Sequence, residues 1–395
     1  MNFFNSRAGN ILLYISFLLP SAAFSQSIGQ GGTNTNGTNS TQIPTAVPFL
    51  LITPDSRSGA MGEAGVATSP DANSTYWNPS KLAFIEDGDQ VSASYSPWLR
   101  NLVPDVSLSY VSYAQKIDDR NSFGASLRYF NLGSIELTDA TQQSLGTYTP
   151  NEFSIDGSFA RKFGNEFSLG LSLRYIHSSL ANGSFLSGQQ IKAGNAVAAD
   201  VSLFYKKPIQ EFGNDATFAF GTNISNIGSK ISYTDNGTKY FLPTNLKLGI
   251  ANTINLDQYN QFTFALDFNK LLVPTPPILD SNGNIIKGQN DDVSVPAGIF
   301  GSFTDAPNGF SQEMQEITIS PGLEYWYNKQ FALRVGYFYE NPNNGGLHYF
   351  TLGTGFRYDI YAFDFSYIAA SQQNSPLANT LRFTLMVNFG APAKK

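Results

Sequence analysis

The chain has 395 residues and a formal net charge of −6. Charged residues make up only 14% of it, against roughly 25% in a typical soluble domain, and aromatic residues make up another 14%. This balance predicts that much of the folded surface does not face water. The acidic charge argues against nucleic-acid binding, and the lack of cysteine excludes disulfides, thiolate metal sites and thiol catalysis.

Residues 1–25 predict a cleaved export signal. Arg7 is the only charge before the apolar stretch 11–19, and the small residues Ala23 and Ser25 precede a cleavage point before Gln26. A retained anchor is the alternative, although the apolar stretch is short for a spanning helix. No later run of about 18 apolar residues occurs, so a membrane location requires strands that close into a barrel.

Two segments of different composition follow the signal. Residues 26–47 are mainly Gly, Asn, Thr, Ser and Gln, and because this composition cannot form a packed core we predict a flexible leader. Residues 48–88 combine apolar side chains with glycines and turn signals such as Asn78-Pro79. They predict a compact, irregular segment with short helical turns.

Apolar and polar residues alternate through residues 89–390. Phe264 and Phe268, for example, share one parity, while Ala265 and Asp267 share the other. Because successive side chains of a strand point to opposite faces, each segment has an apolar face and a polar face. About fourteen such segments occur, many of them about ten residues or longer, the length that a tilted strand needs to cross a bilayer. The sequence therefore predicts an all-β, transmembrane antiparallel barrel.

The connections between these segments alternate in length. The tight ones lie at 118–120, 164–165, 257–259 and 328–329, and the long ones at 138–149, 181–194, 227–237 and 273–312. Outer-membrane barrels have short periplasmic turns and longer outer loops. A soluble β-sandwich also alternates, but it predicts shorter strands, more surface charge and no alternation of loop length.

The longest connection, 273–312, is predicted to be an extracellular insertion with a short amphipathic helix. Its apolar residues include Ile299, Phe300 and Phe303, with Phe310 beyond them. An exposed apolar helix of this kind would offer a surface to a partner. The alternative is that the insertion folds back over the mouth of the barrel.

The sequence predicts no enzyme, no cofactor and no metal site. His177 and His348 lie in different strands, and neither a metal-ligand spacing nor a nucleophile elbow occurs. Acidic residues on the polar strand faces, such as Asp200 and Asp267, are predicted to be the charges of a wet barrel interior. The alternative for them is a catalytic pair inside the lumen.

Short motifs in residues 48–117 carry a family resemblance. They include Thr53-Pro54-Asp55, Arg57-Ser58-Gly59 and Trp77-Asn78-Pro79, and a later segment at 303–327 adds to them. On these motifs the chain resembles the PorV family, outer-membrane components of the type IX secretion system of Bacteroidetes. Residues 62–83 are also similar to the start of FadL-type barrels, which transport hydrophobic compounds.

The resemblance implies a fourteen-stranded, FadL-like barrel in the outer membrane whose segment 48–88 forms a plug in or under the lumen. The motif residues assigned to this plug are Asp55, Arg57, Asp71, Asn73, Trp77, Asn78 and Pro79. Family members bind the C-terminal signal domain of secreted cargo at the extracellular rim. They carry it from the translocon barrel to an attachment complex that contains the PorU sortase.

Under this resemblance, the candidate cargo contacts are the apolar residues of the insertion, Ile299, Phe300, Phe303 and Phe310. The expected partners are the lipid bilayer and the other components of the secretion system. No nucleic acid is expected to bind. The alternative function is that of a FadL-like transporter of hydrophobic small molecules.

Overall fold

Fourteen antiparallel strands form a closed barrel in the computed structural model. The structure describes residues 41–85, 88–99, 105–138, 144–180, 185–186, 189–235, 237–370 and 377–389. The predicted signal 1–25 and the first part of the predicted leader, 26–40, lie outside these ranges. Within them, no helix has the length and apolar character needed to cross a membrane.

Each barrel strand pairs with its neighbours along the chain, and the first strand pairs with the last to close the ring. The barrel strands are β1 (Asp89–Pro97), β2 (Ser107–Lys116), β3 (Asn121–Asn131), β6 (Asn151–Lys162), β7 (Phe167–Ser179), β10 (Gly194–Glu211), β11 (Asn214–Gly228), β12 (Asn245–Asn255), β13 (Asn260–Leu271), β16 (Thr318–Tyr327), β17 (Phe331–Tyr339), β18 (His348–Tyr358), β19 (Tyr361–Ala370) and β20 (Leu381–Asn388).

The remaining elements lie in connections or before the barrel. Three two-stranded hairpins are formed by β4 (Ile135–Thr138) with β5 (Ser144–Tyr148), β8 (Phe185–Leu186) with β9 (Gln189–Gln190), and β14 (Ile278–Leu279) with β15 (Ile285–Lys287). The α-helices are α1 (Ser56–Gly59), α2 (Ser74–Trp77), α3 (Val295–Gly301) and α4 (Phe310–Gln315). 3₁₀-helical turns cover Pro48–Leu51, Pro79–Phe84 and Pro342–Asn344.

The prediction of fourteen strands is confirmed, but some strands begin later than the sequence indicated. Alternation alone predicts strands over 238–256 and 313–328, but these strands begin only at Asn245 and at Thr318. In the second case the residues before the strand form α4 instead. Both differences lie at the end of the barrel that carries the long loops, where apolar loop residues extend the alternating pattern beyond the wall.

The two faces of the wall differ as a membrane barrel requires. In β7, the side chains of Leu169, Leu171 and Leu173 are 42%, 50% and 61% exposed on the outside, whereas Ser172 and Arg174 are buried on the inside. Exposed apolar residues also face outward on most of the other barrel strands. Because a soluble sandwich would bury these leucines in a dry core, the outward apolar face supports a wall surrounded by lipid.

The lumen is filled by residues 43–85, which we call the plug. Its first part packs near the long-loop end, where Phe49 and Leu50 contact Leu108 and Phe130 in one apolar cluster. Its last part packs near the tight-turn end, where Leu82 belongs to a second cluster with residues of the wall. The chain therefore runs through the barrel from one end to the other before β1 begins.

The C-terminal end of the predicted leader 26–47 packs against the barrel. Ile43, Ala46 and Val47 are buried, and the backbone N–H of Ala46 donates to the carbonyl of Phe241 at 2.9 Å. These three apolar residues follow the polar run directly, so they anchor the chain to the barrel mouth. The plug starts about five residues earlier than the composition indicated.

Candidate functional site

The plug is fastened to the wall by a buried network of ion pairs. Arg57 of α1 donates to both carboxylate oxygens of Glu324 on β16, from Nε at 2.9 Å and from Nη2 at 2.8 Å. Its Nη1 also lies 3.2 Å from Asp71 within the plug. Glu324 in turn accepts from Nε of Arg334 at 2.7 Å, and Arg334 reaches Asp364 at 2.6 Å. Charged side chains of the inner wall therefore hold the plug in place.

Asp55 organises the plug from within. Its carboxylate accepts from the backbone N–H of Ser58 at 2.9 Å, which caps α1, and from the indole Nε1 of Trp77 at 2.6 Å. The bond between Asp55 and Trp77 joins α1 to α2, although the two residues lie 22 positions apart in the sequence.

Two asparagines of the motif connect the plug to the wall. The side-chain amide of Asn78 donates to the carbonyl of Val66 at 3.1 Å and to the carbonyl of Leu203 in β10 at 3.0 Å. Its oxygen accepts from the N–H of Ser80, so Asn78 also caps the 3₁₀ turn that Pro79 begins. Asn73 accepts from the hydroxyl of Ser112 on β2 at 3.1 Å. All of the predicted motif residues lie in the plug, and Arg57, Asn73 and Asn78 also bond to the wall.

Charged side chains of the inner wall also form hydrogen bonds with backbone groups of the plug. Asp267 accepts from the N–H groups of Gly65 and Val66 at 2.7 and 2.9 Å. Arg128 donates to the carbonyl of Leu50 at 2.8 Å. These bonds satisfy buried backbone groups of an irregular segment, which otherwise carry a cost in free energy.

Asp200 and Asp267, the acidic residues considered as a catalytic pair, bind different partners. Its two oxygens lie 3.2 and 3.0 Å from the guanidinium of Arg174, which also pairs with Asp156. Asp267 is occupied by the plug backbone. Among the described residues, no group of three His, Asp or Glu side chains is arranged to hold a metal ion.

Inward glycines let the plug approach the wall, and the sequence analysis did not single them out. A Cβ atom at Gly336 would lie 2.0 Å from the backbone nitrogen of Gly62. Comparable conflicts with plug atoms arise at other inward positions, namely Gly124, Gly170, Gly221, Gly322 and Gly353. A glycine within a strand is typical of a place where another backbone comes close. These glycines could therefore have indicated from the sequence where the plug touches the wall.

The plug leaves a cavity on each side of it. The cavity towards the long loops has a volume of about 250 Å³, and Trp77, Lys247 and Tyr349 contribute to its lining. The cavity towards the tight turns has a volume of about 410 Å³, with Lys206 and Arg357 in its lining.

The insertion 273–312 is anchored to the outside of the wall. Lys270 of β13 has the same parity as the outward-facing Phe268, yet it is only 8% exposed. Its Nζ lies 2.9 Å from Glu313 of α4 and 2.6 Å from Glu316. The segment after the insertion therefore folds against the outer surface at the long-loop end. The hydroxyl of Thr275 adds a bond to Glu316 at 2.9 Å.

The structure places two of the four predicted cargo contacts in one cleft. Ile299 is half-buried, whereas the neighbouring Phe300 is 79% exposed on α3. Phe303 and Phe310 are 44% and 74% exposed, and both line an apolar cleft between α4 and the outer wall. Ile299 and Phe300 do not belong to the lining of this cleft.

The chain is similar to known proteins in sequence and in structure. The model of the family "Type IX secretion system protein PorV" matches residues 35–278, more than half of the chain. No curated protein matches the sequence. Solved structures that are similar include the Pseudomonas putida toluene transporter TodX, at 14% identity, TM-score 0.45, and coverage of 83% of this chain and 95% of that one.

Two further solved structures are similar at comparable levels. The Ralstonia pickettii toluene transporter TbuX shares 11% identity at a TM-score of 0.45, with 85% of this chain and 98% of that one covered. A Pseudomonas aeruginosa FadL homologue shares 11% identity at a TM-score of 0.39, with 89% of this chain and all of that one covered.

Proposed function

Because the chain belongs to the PorV family of type IX secretion system proteins, we propose that it binds secreted cargo at the long-loop end of its outer-membrane barrel. The feature it recognises is the C-terminal signal domain of the cargo. It receives this cargo from the translocon barrel and delivers it to an attachment complex with a PorU-like sortase. The plugged lumen is the observation that carries the proposal.

The plug supports recognition at the rim over passage through the barrel. Residues 43–85 occupy the lumen from end to end and are held by the Arg57–Glu324 pair and by Asp267. A barrel of this strand number is narrower than an open porin even before a plug is added. A folded cargo domain is therefore expected to stay outside the lumen.

Loops on a rigid scaffold suit this kind of binding. The long connections gather at one end of the barrel, and the largest of them places Phe300 in solvent with 79% of its side chain exposed. The half-buried Ile299 lies beside it on α3. We infer that Phe300 provides an apolar contact for cargo.

The proposal also fixes an orientation. Residues 1–25 direct export, the long-loop end faces the cell exterior, and the tight turns face the periplasm, as in other outer-membrane barrels. Cysteine substitutions at Ile286, in the insertion, and at Phe212, in a tight turn, would test this orientation on intact cells. A membrane-impermeant maleimide should label position 286 alone.

Binding accounts for the lumenal charges without catalysis. The buried carboxylates Glu324, Asp267 and Asp200 each accept hydrogen bonds from the plug or from a neighbouring arginine. Transport of hydrophobic small molecules through the lumen would require the plug to leave these bonds. We therefore favour cargo binding over FadL-like transport.

The test is isolation of the tagged full-length protein from outer membranes in mild detergent, followed by identification of the proteins that accompany it. Large secreted proteins with a C-terminal β-domain should be recovered, and their display on the cell surface should fail when the gene is deleted. Intact surface display in the deletion strain would contradict the proposal.

A matched pair of variants tests the site itself. Phe300→Asp should lower recovery of cargo at least severalfold at unchanged barrel levels. Ile286→Asp, at a residue 60% exposed on β15 of the same insertion, should leave recovery unchanged. Equal recovery with both variants would show that cargo binds at other loops.

A further inference from the structure

An apolar cleft lies on the outside of the barrel, between the wall and α4. It has a volume of about 270 Å³. Its wall side is formed by Leu246, Leu248 and Phe268, and its other side by Phe303, Phe310, Met314 and Ile317. Phe310 and Met314 remain 74% and 47% exposed. Nothing within the described chain covers these side chains.

The wall side of the cleft continues the lipid-facing surface. Leu248 of β12 pairs in register with Phe268 of β13, and both point outward, with 39% and 38% of their side chains exposed. Further along the same strands, Ile250 and Phe264 also face outward and are exposed to a similar extent. The cleft therefore lies where the apolar band of the barrel reaches the long-loop end.

Ion pairs hold the other side of the cleft in place. Lys270 would be an unfavourable residue on the outer face of a membrane barrel if it were left unpaired. Glu313 and Glu316 bind its ammonium group at 2.9 and 2.6 Å and remain buried themselves. Asp305 accepts from the N–H of Thr275 at 3.1 Å and strengthens the base of the insertion. The apolar residues of α4 are thus fixed beside the wall.

We propose that this cleft binds an acyl chain of a membrane lipid in the leaflet at the long-loop end, so that α4 anchors the insertion in the bilayer. The continuity of the cleft with the lipid-facing band identifies the occupant. Lys270 is surrounded by carboxylates, so the polar end of the cleft does not suit a phosphate. The ligand is the hydrocarbon chain, and the headgroup remains outside. The proposal does not depend on cargo binding.

Spin labels on single cysteines test this proposal directly. The natural chain contains no cysteine, so single variants carry one label each. Labels at positions 310 and 314 report on the cleft, a label at 264 reports on lipid, and a label at 286 reports on water. The labelled full-length barrel is placed in nanodiscs of dioleoylphosphatidylcholine, and collision rates with oxygen and with a water-soluble nickel chelate are measured.

Positions 310 and 314 should resemble position 264, with frequent oxygen collisions and at least severalfold fewer collisions with the nickel chelate than at 286. Nickel accessibility equal to that at 286 would overturn the proposal, because the cleft would then face water. Shielding from both probes would also overturn it, since a protein segment would then occupy the cleft. Heat-modifiable mobility on a gel confirms that each variant is folded.

A second arm uses lipids with bromine on the acyl chain and a Phe310→Trp variant. Fluorescence should be quenched well beyond that of the unsubstituted protein, whose tryptophans provide the background. A Phe300→Trp variant on α3 should show no added quenching. Equal quenching at both positions would reject a specific cleft, and no added quenching at 310 would reject lipid as the occupant.

Discussion

Arg57 of the plug and Glu324 of β16 form a two-pronged ion pair inside the barrel, although they lie 267 residues apart in the sequence. The side chains are 6% and 2% exposed. Such pairs contribute little net stability compared with an apolar pair of similar shape, but the loss of one partner leaves a buried charge. The pair therefore ties the position of the plug to the integrity of the wall.

Glu324→Gln is expected to destabilise the barrel more than Arg57→Met. The first change leaves both Arg57 and Arg334 facing a neutral group, whereas the second leaves Glu324 paired with Arg334. Loss of a partner from a buried pair costs roughly 3–5 kcal/mol, and the cost for Glu324→Gln should fall in this range. The midpoint of urea unfolding, followed by heat-modifiable gel mobility, measures the difference.

The control is Lys192→Met at the pair between Lys192 and Asp235, whose side chains are 52% and 71% exposed. Exposed pairs contribute at most about 1 kcal/mol, so this variant should unfold close to the unsubstituted protein. If Glu324→Gln unfolded no earlier than Lys192→Met, the plug would not depend on this pair.

Gly336→Ala is expected to loosen the plug. The added methyl group would lie 2.0 Å from the nitrogen of Gly62 and 2.1 Å from the carbonyl carbon of Met61, so backbone must move. Overpacking of this kind typically costs about 1–3 kcal/mol. Hydrogen–deuterium exchange of residues 56–64 should become at least about fivefold faster, which corresponds to about 1 kcal/mol.

Gly157→Ala is the matched control, because it makes the same change on an outward position with nothing within 4 Å of the new atom. Its exchange in residues 56–64 should equal that of the unsubstituted protein. Unchanged exchange in the Gly336→Ala variant would show that the plug adjusts without loss of its contacts.

The wall could be predicted from the sequence because its rule is local. In β7, Leu169, Leu171 and Leu173 alternate with small or charged residues, and a strand has only two faces on which to place them. The outer ends of β12 and β16 were predicted less well. There the apolar residues belong to loops and to α4, and alternation alone does not say where the wall stops.

The site was predictable only in part, because its partners are distant in sequence. The motif indicated that Arg57 belongs to a plug, but nothing near Arg57 points to Glu324. The role of Lys270 could not be predicted either. Its position in the strand places it on the apolar outer face, where a charge is unfavourable, and only the structure shows that α4 covers it. A charge on the apolar parity of a strand is a signal that another element lies over that position.

Glu340 is expected to make stability depend on pH. It follows the end of β17, and its carboxylate accepts from the N–H of Leu347 at 3.2 Å. Burial raises the pKa of Glu340 to about 7 from its ordinary value of 4.5, and Glu63 adds to the effect. The folded protein thus retains a proton that the unfolded chain releases, and stability should fall as the pH rises from 4.5 to about 7.

Glu340→Gln should remove this dependence, because the amide can still accept the bond from Leu347 but carries no charge. Above pH 7 the variant should be more stable by about 2 kcal/mol, and below pH 4.5 the two proteins should be equally stable. Unfolding temperatures on heat-modifiable gels at several pH values measure the difference. A constant difference across the whole range would mean that titration of Glu340 is not its cause.

Lys270→Met is expected to detach the insertion from the wall. The change leaves Glu313 and Glu316 buried together without a cation, and burial and Glu313 already raise the pKa of Glu316. At pH 8, exchange of residues 295–316 should become at least about tenfold faster, which corresponds to about 1.4 kcal/mol. At pH 5 the carboxyl group of Glu316 takes up a proton more readily, so the difference should shrink.

Two further variants separate this cause from a general loss of stability. Lys287→Met, at an exposed position of β15 in the same insertion, should leave exchange of residues 295–316 unchanged. Adding Glu313→Gln and Glu316→Gln to Lys270→Met should restore much of the protection, because no unpaired charge then remains beside the wall. If Lys270→Met alone retained full protection at pH 8, apolar packing in the cleft would be sufficient to hold α4, and the ion pairs would be dispensable.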